Sequence, residues 1–293
     1  ALVDAIDVVT SAGPTAASPW VILVEPGVYE STSFPALPPY VRLVGSGRSA
    51  TRVVDTDDGP ALTATGFVTV DDLTVEQSGT ATTALFTDDV ELNRVRVITG
   101  TNSTSQSGLA ITGAETEARL TDIVVDDDDP TDYGTTVGIS VQDGATVDLI
   151  DSEIVGIYRG LGAAVSGSAV TVDVRGTRID TSSSAISVGS GEVTVDHSVF
   201  TDQISLGSSP YTQTVDVTVR NSAIHRIFYN GSASTAARTA TVESSTMSGG
   251  FDSGAGDGLT TARVFNTHVG GGVDADTEAC SGVTTTGAFH DVT

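Results

Sequence analysis

Val193-Thr194-Val195-Asp196-His197-Ser198-Val199-Phe200 (VTVDHSVF) decides how this chain is read. It runs apolar, outward, apolar anchor (Val195), outward, turn residue, small hydroxyl (Ser198), outward, bulky apolar (Phe200). The same frame fits at Val70, Leu92, Leu120, Leu149, Val174, Val219, Val242 and Val264, with successive anchors 21–29 residues apart. That is the spacing of solenoid coils. Two residues before each anchor the side chain is Val or Ala, and five after it is Val, Ile, Phe or Met. Three after it, Leu73, Val95 and Ile123 give way to Ser152, Thr177, Ser198, Ser222, Ser245 and Thr267, so small hydroxyls are expected to stack inside the later coils. Period-2 alternation on both sides of a short turn specifies strands.

The outward columns support stacking in one phase. One residue after the anchor come Arg175, Asp196, Arg220 and Glu243, which alternate in sign. With coils about 4.8 Å apart, each charge lies beside an opposite one; Glu91 would likewise neighbour Arg119, and Glu153 would neighbour Arg178. Such pairs contribute little energy, roughly 0–1 kcal/mol each, but they report register. The fold class is all-β: a right-handed, single-stranded parallel β-helix. A left-handed hexapeptide helix would need a strict six-residue repeat, which the chain lacks.

One uninterrupted repeat implies a single elongated domain over 1–293, in which each coil buries its apolar face only against its neighbours. Residues 1–13 read as a short amphipathic helix that caps the open end, with Leu2, Ile6 and Val9 on one side and Gly13-Pro14 stopping it. The coils are expected over 20–269, beginning with WVILV (Trp20–Val24) and VRLV (Val41–Val44); from Gly270 the frame dissolves into an incomplete coil or cap over 270–293. Further wall strands are expected at Gly138–Val141, Ala163–Val165 and Ala185–Val188, and loops at Thr99–Ser107, Asp126–Thr136, Gly207–Gln213 and Asn230–Ala237.

The formal net charge is -25, with thirteen arginines and no lysine, which makes nucleic acid and anionic membranes poor partners. Two explanations compete for that composition, a salt-rich habitat and GC-rich codon usage, and they are compatible with each other. No apolar run is long enough to span a membrane. No signal peptide is recognised, and the chain opens on a structured segment as a mature or trimmed form would. Cys280 is the single cysteine, so no disulfide framework exists.

The order helix, WVILVEPGVYES, YVRLVGSGRSATRVV resembles the opening coils of the pectin methylesterase and pectate lyase superfamily. In the esterases a Gly-x-Tyr-x-Glu motif lies here, and Gly27, Val28, Tyr29 and Glu30 resemble it, with Glu30 directly after Tyr29. The resemblance covers the N-terminal third, and beyond it only the generic repeat continues. It implies a β-helix. The segments that carry catalysis in the esterases, lyases and polygalacturonases are not found, and fold alone does not carry activity.

Six and seven residues after successive anchors stand Asp180, Thr201 and His225, then Thr181, Asp202 and Arg226. Stacking brings Asp180, Asp202, His225 and Arg226 to one face, with Tyr158, Arg159 and Tyr229 in the same region. Two carboxylates with His or Arg suit acid–base work on a glycan; Arg226 beside Asp202 is equally a plain ion pair. Asp126, Asp127, Asp128 and Asp129 are candidate calcium ligands, though without EF-hand spacing they also read as a solvated acidic loop, as do Asp55, Asp57 and Asp58. The four histidines occupy different columns, so no metal-binding His cluster arises. Asn102-Ser103-Thr104 and Asn230-Gly231-Ser232 are glycosylation sequons by pattern.

The leading expectation is a non-catalytic extracellular or virion-surface β-helix, a spike, fibre or adhesin-like rod that faces a surface polysaccharide. Viral spikes resembling this fold imply a homo-oligomer, a trimer in particular. Two alternatives stay open: a polysaccharide lyase, hydrolase or esterase using the Asp180/Asp202/His225/Arg226 face, and an architectural filament or decoration subunit. No cofactor beyond calcium is expected.

Overall fold

A computed structural model describes residues 1–79, 81–99, 107–127, 137–164, 168–207, 214–229, 237–252, 260–274 and 277–285. Apart from the helix Leu2–Ala12, its regular structure is β-strand, and every strand pairing is parallel. Strands pair from coil to coil along three walls. All nine anchors fall in one register column: Val70 pairs with Leu92, Leu92 with Leu120, and so on through Val174, Val195, Val219, Val242 and Val264. Ile22 and Leu43 extend that column at the helix-bearing end. At the other end the apolar frame lapses after Gly270, with Glu278 and Thr285 in its apolar columns, but the strand register continues. Cys280 pairs with Val264 and Thr284 with His268, so the register outlasts the expected boundary.

The reason is the buried column itself. Val70, Leu92, Leu120, Leu149, Val174, Val195, Val219, Val242 and Val264 are all at most 1 % exposed, and a one-residue slip would turn such a strand inside out. Leu2, Ile6 and Val9 of the helix join the same apolar core, and Gly13 ends the helix in the left-handed conformation at φ 65°.

The second wall follows the anchor wall after a bend; in the later coils it is short, as in Val199–Phe200, Ala223–Ile224 and Thr246–Met247. The third wall includes Val137–Gln142, where Ile139 pairs with Leu161 and Leu161 with Ile186. The wall strand expected at Ala163–Val165 is displaced. The strand Glu153–Ala163 supplies Leu161 and Ala163 to the core, so its last turn of alternation lies two residues earlier. The unbroken alternation GLGA had concealed it, because glycine carries no hydrophobic mark. The interiors of the four expected loops, both sequons, Val165 and His290 lie outside the described residues.

Candidate functional site: the left-handed corner and its groove

Two residues after each anchor the chain leaves the first wall through a left-handed residue. These are Asp72, Arg94, Asp122, Asp151, Gly176, His197, Asn221, Ser244, Asn266 and Gly282, with φ between 47° and 64°. The conformation costs an ordinary L-residue roughly 1–2 kcal/mol and is tolerated best by Gly, Asn and Asp, which explains most of that column. Stacked, the ten form one continuous corner along the rod.

Inside the corner lies the hydroxyl column, as expected from the sequence. The backbone N–H of Ile123 donates to Ser152 Oγ at 3.0 Å, Thr177 N–H to Ser198 Oγ at 3.1 Å, Ser198 N–H to Ser222 Oγ at 3.0 Å and Ser222 N–H to Ser245 Oγ at 3.1 Å. Each hydroxyl hands its own proton to the carbonyl two residues back: Ser198 to Asp196 at 2.9 Å, Ser222 to Arg220 at 2.5 Å, Ser245 to Glu243 at 2.7 Å. The left-handed residue interrupts the backbone ladder, and the side-chain ladder satisfies the groups it strands.

Over the outside of this corner, from His197 to Thr284, runs an open groove of about 720 Å³. It is lined by the exposed columns His197, Asn221, Ser244, Asn266 and Val199, Ala223, Thr246, His268, with the buried hydroxyls Ser198, Ser222, Ser245 and Thr267 between them, one residue of each kind per coil. Among the described residues that line it there is no Asp, Glu or Arg, in a molecule of net charge -25. A second, smaller groove of about 280 Å³ is the opposite in character, with Asp89, Glu91, Glu117 and Asp148 around Arg119.

Nearer the N-terminus the same corner is filled. The turn after Val44 lies along it: Gly45 N–H donates to Asp71 O at 2.9 Å and Gly47 N–H to Asp72 O at 2.8 Å. Arg48 O accepts from Thr74 Oγ1 at 2.6 Å, and the Arg48 guanidinium grips both carboxylate oxygens of Asp122 at 2.9 Å. Gly45 is required there because a Cβ would stand 2.3 Å from Asp72 O. Arg94 binds Asp72 through two hydrogen bonds of 2.7 Å and holds that carboxyl below its usual range. Buried Asp71 accepts from Arg42 Nε at 2.7 Å and Asn93 Nδ2 at 3.2 Å.

The alternating charge column is in register, with Arg175 beside Asp196, Asp196 beside Arg220 and Arg220 beside Glu243. One of these neighbours closes as an ion pair, Arg220 with Glu243 at 3.6 Å. Arg175 turns to Asp173 in its own strand, and Asp196 accepts from Asn221 Nδ2 at 2.9 Å with His197 Nδ1 3.0 Å away. The Asn221 amide first, then His197, holds the Asp196 carboxyl below its usual range. Arg178 does reach Glu153, at 2.8 Å. Arg119 stands between Glu91 and Asp148 in register without an ion pair to either.

Asp180, Asp202, His225 and Arg226 do occupy neighbouring coils, but their partners are other residues. Asp180 accepts from Arg178 at 2.6 Å and Thr201 Oγ1 at 2.8 Å. Asp202 accepts the N–H of Gln203 at 2.7 Å. Arg226 donates not to Asp202 but to Gln203 Oε1 at 2.8 Å, and lies over Phe228. His225 Nδ1 is 3.0 Å from Ser248 Oγ. Tyr229, expected near this face, is in the core with the Arg238 guanidinium 4.0 Å from its ring centroid, because its column points inward. Tyr158 and Arg159 stack on each other, 5.7 Å apart.

Of the candidate calcium ligands, Asp126 is bound by Arg96 Nε at 3.1 and 3.2 Å, and Asp128 and Asp129 lie outside the described residues. No group of three His, Cys, Asp or Glu side chains placed to hold a metal occurs among the described residues. No helix among the described residues is long and apolar enough to cross a membrane.

The groove residues and Ser248 were not singled out from the sequence. The signal existed: the frame that aligns Asp180, Thr201 and His225 places Ser248 next, and His197, Asn221 and Asn266 share the turn column.

No family model and no curated protein matches the chain. Among solved structures, the A-module of the Azotobacter vinelandii mannuronan C-5 epimerase AlgE6 is 15 % identical, with 99 % of this chain and 94 % of that one covered at a TM-score of 0.47. The catalytic unit of a GH87 α-1,3-glucanase from Streptomyces thermodiastaticus is 13 % identical over 92 % of this chain and 63 % of that one, at 0.45. A pectin methylesterase in complex with a hexasaccharide is 11 % identical over 98 % and 86 %, at 0.28. These are likenesses of chain path at low identity.

Proposed function

We propose that this protein is a rigid recognition rod, acting outside the cell or on a virion surface, which holds a surface polysaccharide along the corner groove from His197 to Thr284. The observation that carries the proposal is the groove's lining of amides, hydroxyls and imidazoles, with no carboxylate or guanidinium among the described lining residues, in an otherwise strongly acidic molecule. A polyol can exchange its water hydrogen bonds for such groups without stripping water from a buried charge. The coils repeat these groups about every 4.8 Å, so a polymer with its own repeat meets similar partners at each step. Solenoids characteristically present extended concave surfaces of this kind. Val199 and Ala223 supply the apolar contact that a sugar ring face needs. A homo-oligomer, specifically a trimer, belongs to the same proposal, and analytical ultracentrifugation checks it.

The test is a glycan array followed by calorimetry on the strongest hits. Ala223→Trp fills the groove from an exposed position without disturbing the core, and is expected to weaken binding at least tenfold. Undiminished binding by this variant would remove the groove from the proposal, and an array with no hits would remove the glycan.

A second reading, catalysis on the wall beside the groove, is favoured by one observation, the contact of His225 with Ser248. Glycosidic cleavage by paired carboxylates is less well supported, since Asp180 is already held by Arg178 and Thr201. Reducing-end and unsaturated-product assays with Asp202→Ala test it.

A further inference from the structure

We infer that Ser248 and His225 form a nucleophile–base pair that hydrolyses acyl esters, O-acyl groups carried by a groove-bound glycan being the substrate class. The acyl chemistry itself is independent of the groove proposal; only the identity of the alcohol rests on it.

The pair is built by adjacent coils. Ser248 Oγ and His225 Nδ1 are 3.0 Å apart, a hydrogen-bond distance that lets the imidazole accept the hydroxyl proton. Ser248 is exposed, and its N–H donates to Ile224 O at 3.1 Å, fixing it beside the His225 segment. The space around it is kept clear by glycine. Gly249 follows it, and a Cβ there would stand 2.9 Å from both His225 O and Arg226 Cβ and 3.4 Å from the imidazole Cε1. Gly270, on the next coil, passes so close that a Cβ would lie 2.2 Å from Ser248 O. Neither Gly249 nor Gly270 has positive φ, so close approach rather than backbone conformation demands glycine at both. The result is a serine with imidazole on one side and bare backbone on the other, open to a carbonyl carbon. Gly250 N–H, two residues on, has no partner among the described residues.

The location joins the two sites. Thr246 and Ser248 face outward on either side of buried Met247, and Thr246 lines the groove. A substituent projecting from a chain in the groove therefore reaches the serine over one strand pleat.

The step balances with water as co-reactant. Ser248 Oγ attacks the ester carbonyl carbon while its proton moves to His225 Nδ1. The bond to the sugar oxygen breaks, and that oxygen takes the proton from Nδ1. Water then attacks the acyl-serine, its proton passes through Nδ1 back to Ser248 Oγ, and a carboxylic acid leaves.

The experiment uses the full chain with a fluorophosphonate probe, located by peptide mass spectrometry, and with p-nitrophenyl acetate. Ser248 is expected to take the probe, Ser248→Ala to lose both labelling and turnover, and His225→Gln to slow turnover at least ~100-fold, the lower range for a positioned general base. Circular dichroism and melting of each variant verify the fold. No adduct on Ser248 in the folded protein, or turnover that survives Ser248→Ala, overturns the inference. Labelling without any glycan binding would keep it and sink the groove proposal; glycan binding without labelling would do the reverse.

Discussion

One corner runs the length of this rod, and its two ends solve the same problem with different chemistry. Near the N-terminus, Val68–Gln77 and Val90–Thr99 are continuous strands that pass through the left-handed residues Asp72 and Arg94, with Leu73 paired to Val95 just beyond. Aliphatic side chains fill the inside, and the Gly45–Arg48 turn with its ion pairs covers the outside. Toward the C-terminus the strand breaks at His197, Asn221 and Ser244, hydroxyls take over the hydrogen bonding within, and the outside is left open. Burying Leu73 yields packing energy but leaves no polar group to stitch a broken ladder; burying Ser222 yields the stitch at the expense of packing. Where the strand breaks, from Asp122 onward, the hydroxyl of the next coil takes the stranded N–H, and from His197 onward the outside of the corner is also open.

Exchanging the two solutions should do the most damage. Leu73→Ser removes a fully buried side chain from the aliphatic end, and is expected to cost about 2–5 kcal/mol, as large-to-small core changes do. Urea denaturation measures it. A loss below about 1 kcal/mol would mean that the aliphatic corner is not a packing device. Ser222→Ala at the other end leaves Ser198 N–H without its acceptor and Arg220 O with the His197 N–H as its remaining donor, for an expected loss of about 1–3 kcal/mol. Hydrogen exchange should localise that loss to the amides of Ser198 and its neighbours.

Gly176 lies at the junction of the two regimes, at φ 61° with Asp151 Oδ1 2.3 Å from where a Cβ would sit. Gly176→Ala should cost about 1–2 kcal/mol from the backbone alone; Asp151→Ala in the same chain should recover only the part due to the clash. Equal stability of the single and double variants would show that Asp151 moves freely aside.

The smallest effects are electrostatic, and their pH windows separate the regions. The folded-state pKa values of Asp72 and Asp196 are both depressed, by Arg94 and by Asn221 respectively. Each contributes stability that is present above the unfolded carboxylate value of about 3.9 and is lost as pH falls through the lower folded value. Asp55, buried in the N-terminal coils, has a raised pKa caused by desolvation. Its contribution runs oppositely: complete below about 3.9, and lost as pH rises through the folded value. Melting curves of Asp72→Asn and Asp55→Asn against pH should therefore diverge from the parent in opposite directions, by at most about 1 kcal/mol for the partly exposed Asp72. Parallel curves would contradict the assignment.

Much of this was legible in the residues. The anchors, the capping face Leu2/Ile6/Val9, the hydroxyl column and the Arg178–Glu153 neighbour pair all stand where the repeat puts them. The strand ending at Ala163 was misplaced because Gly160 and Gly162 carry no hydrophobic signal. The site is less legible: the repeat aligns Asp180 and Arg226 with neighbouring coils, but their partners, Arg178 and Gln203, follow no special pattern.

The sequence alone determined the coil, because a single buried column repeated at nine anchors admits only one register. Tertiary structure decided where the surface opens. Arg48 meets Asp122 across 74 residues, whereas the groove from His197 to Thr284 stays open. Periodicity fixes which way a side chain points; whether anything lies opposite depends on distant segments folding back, and that leaves no mark on the repeat.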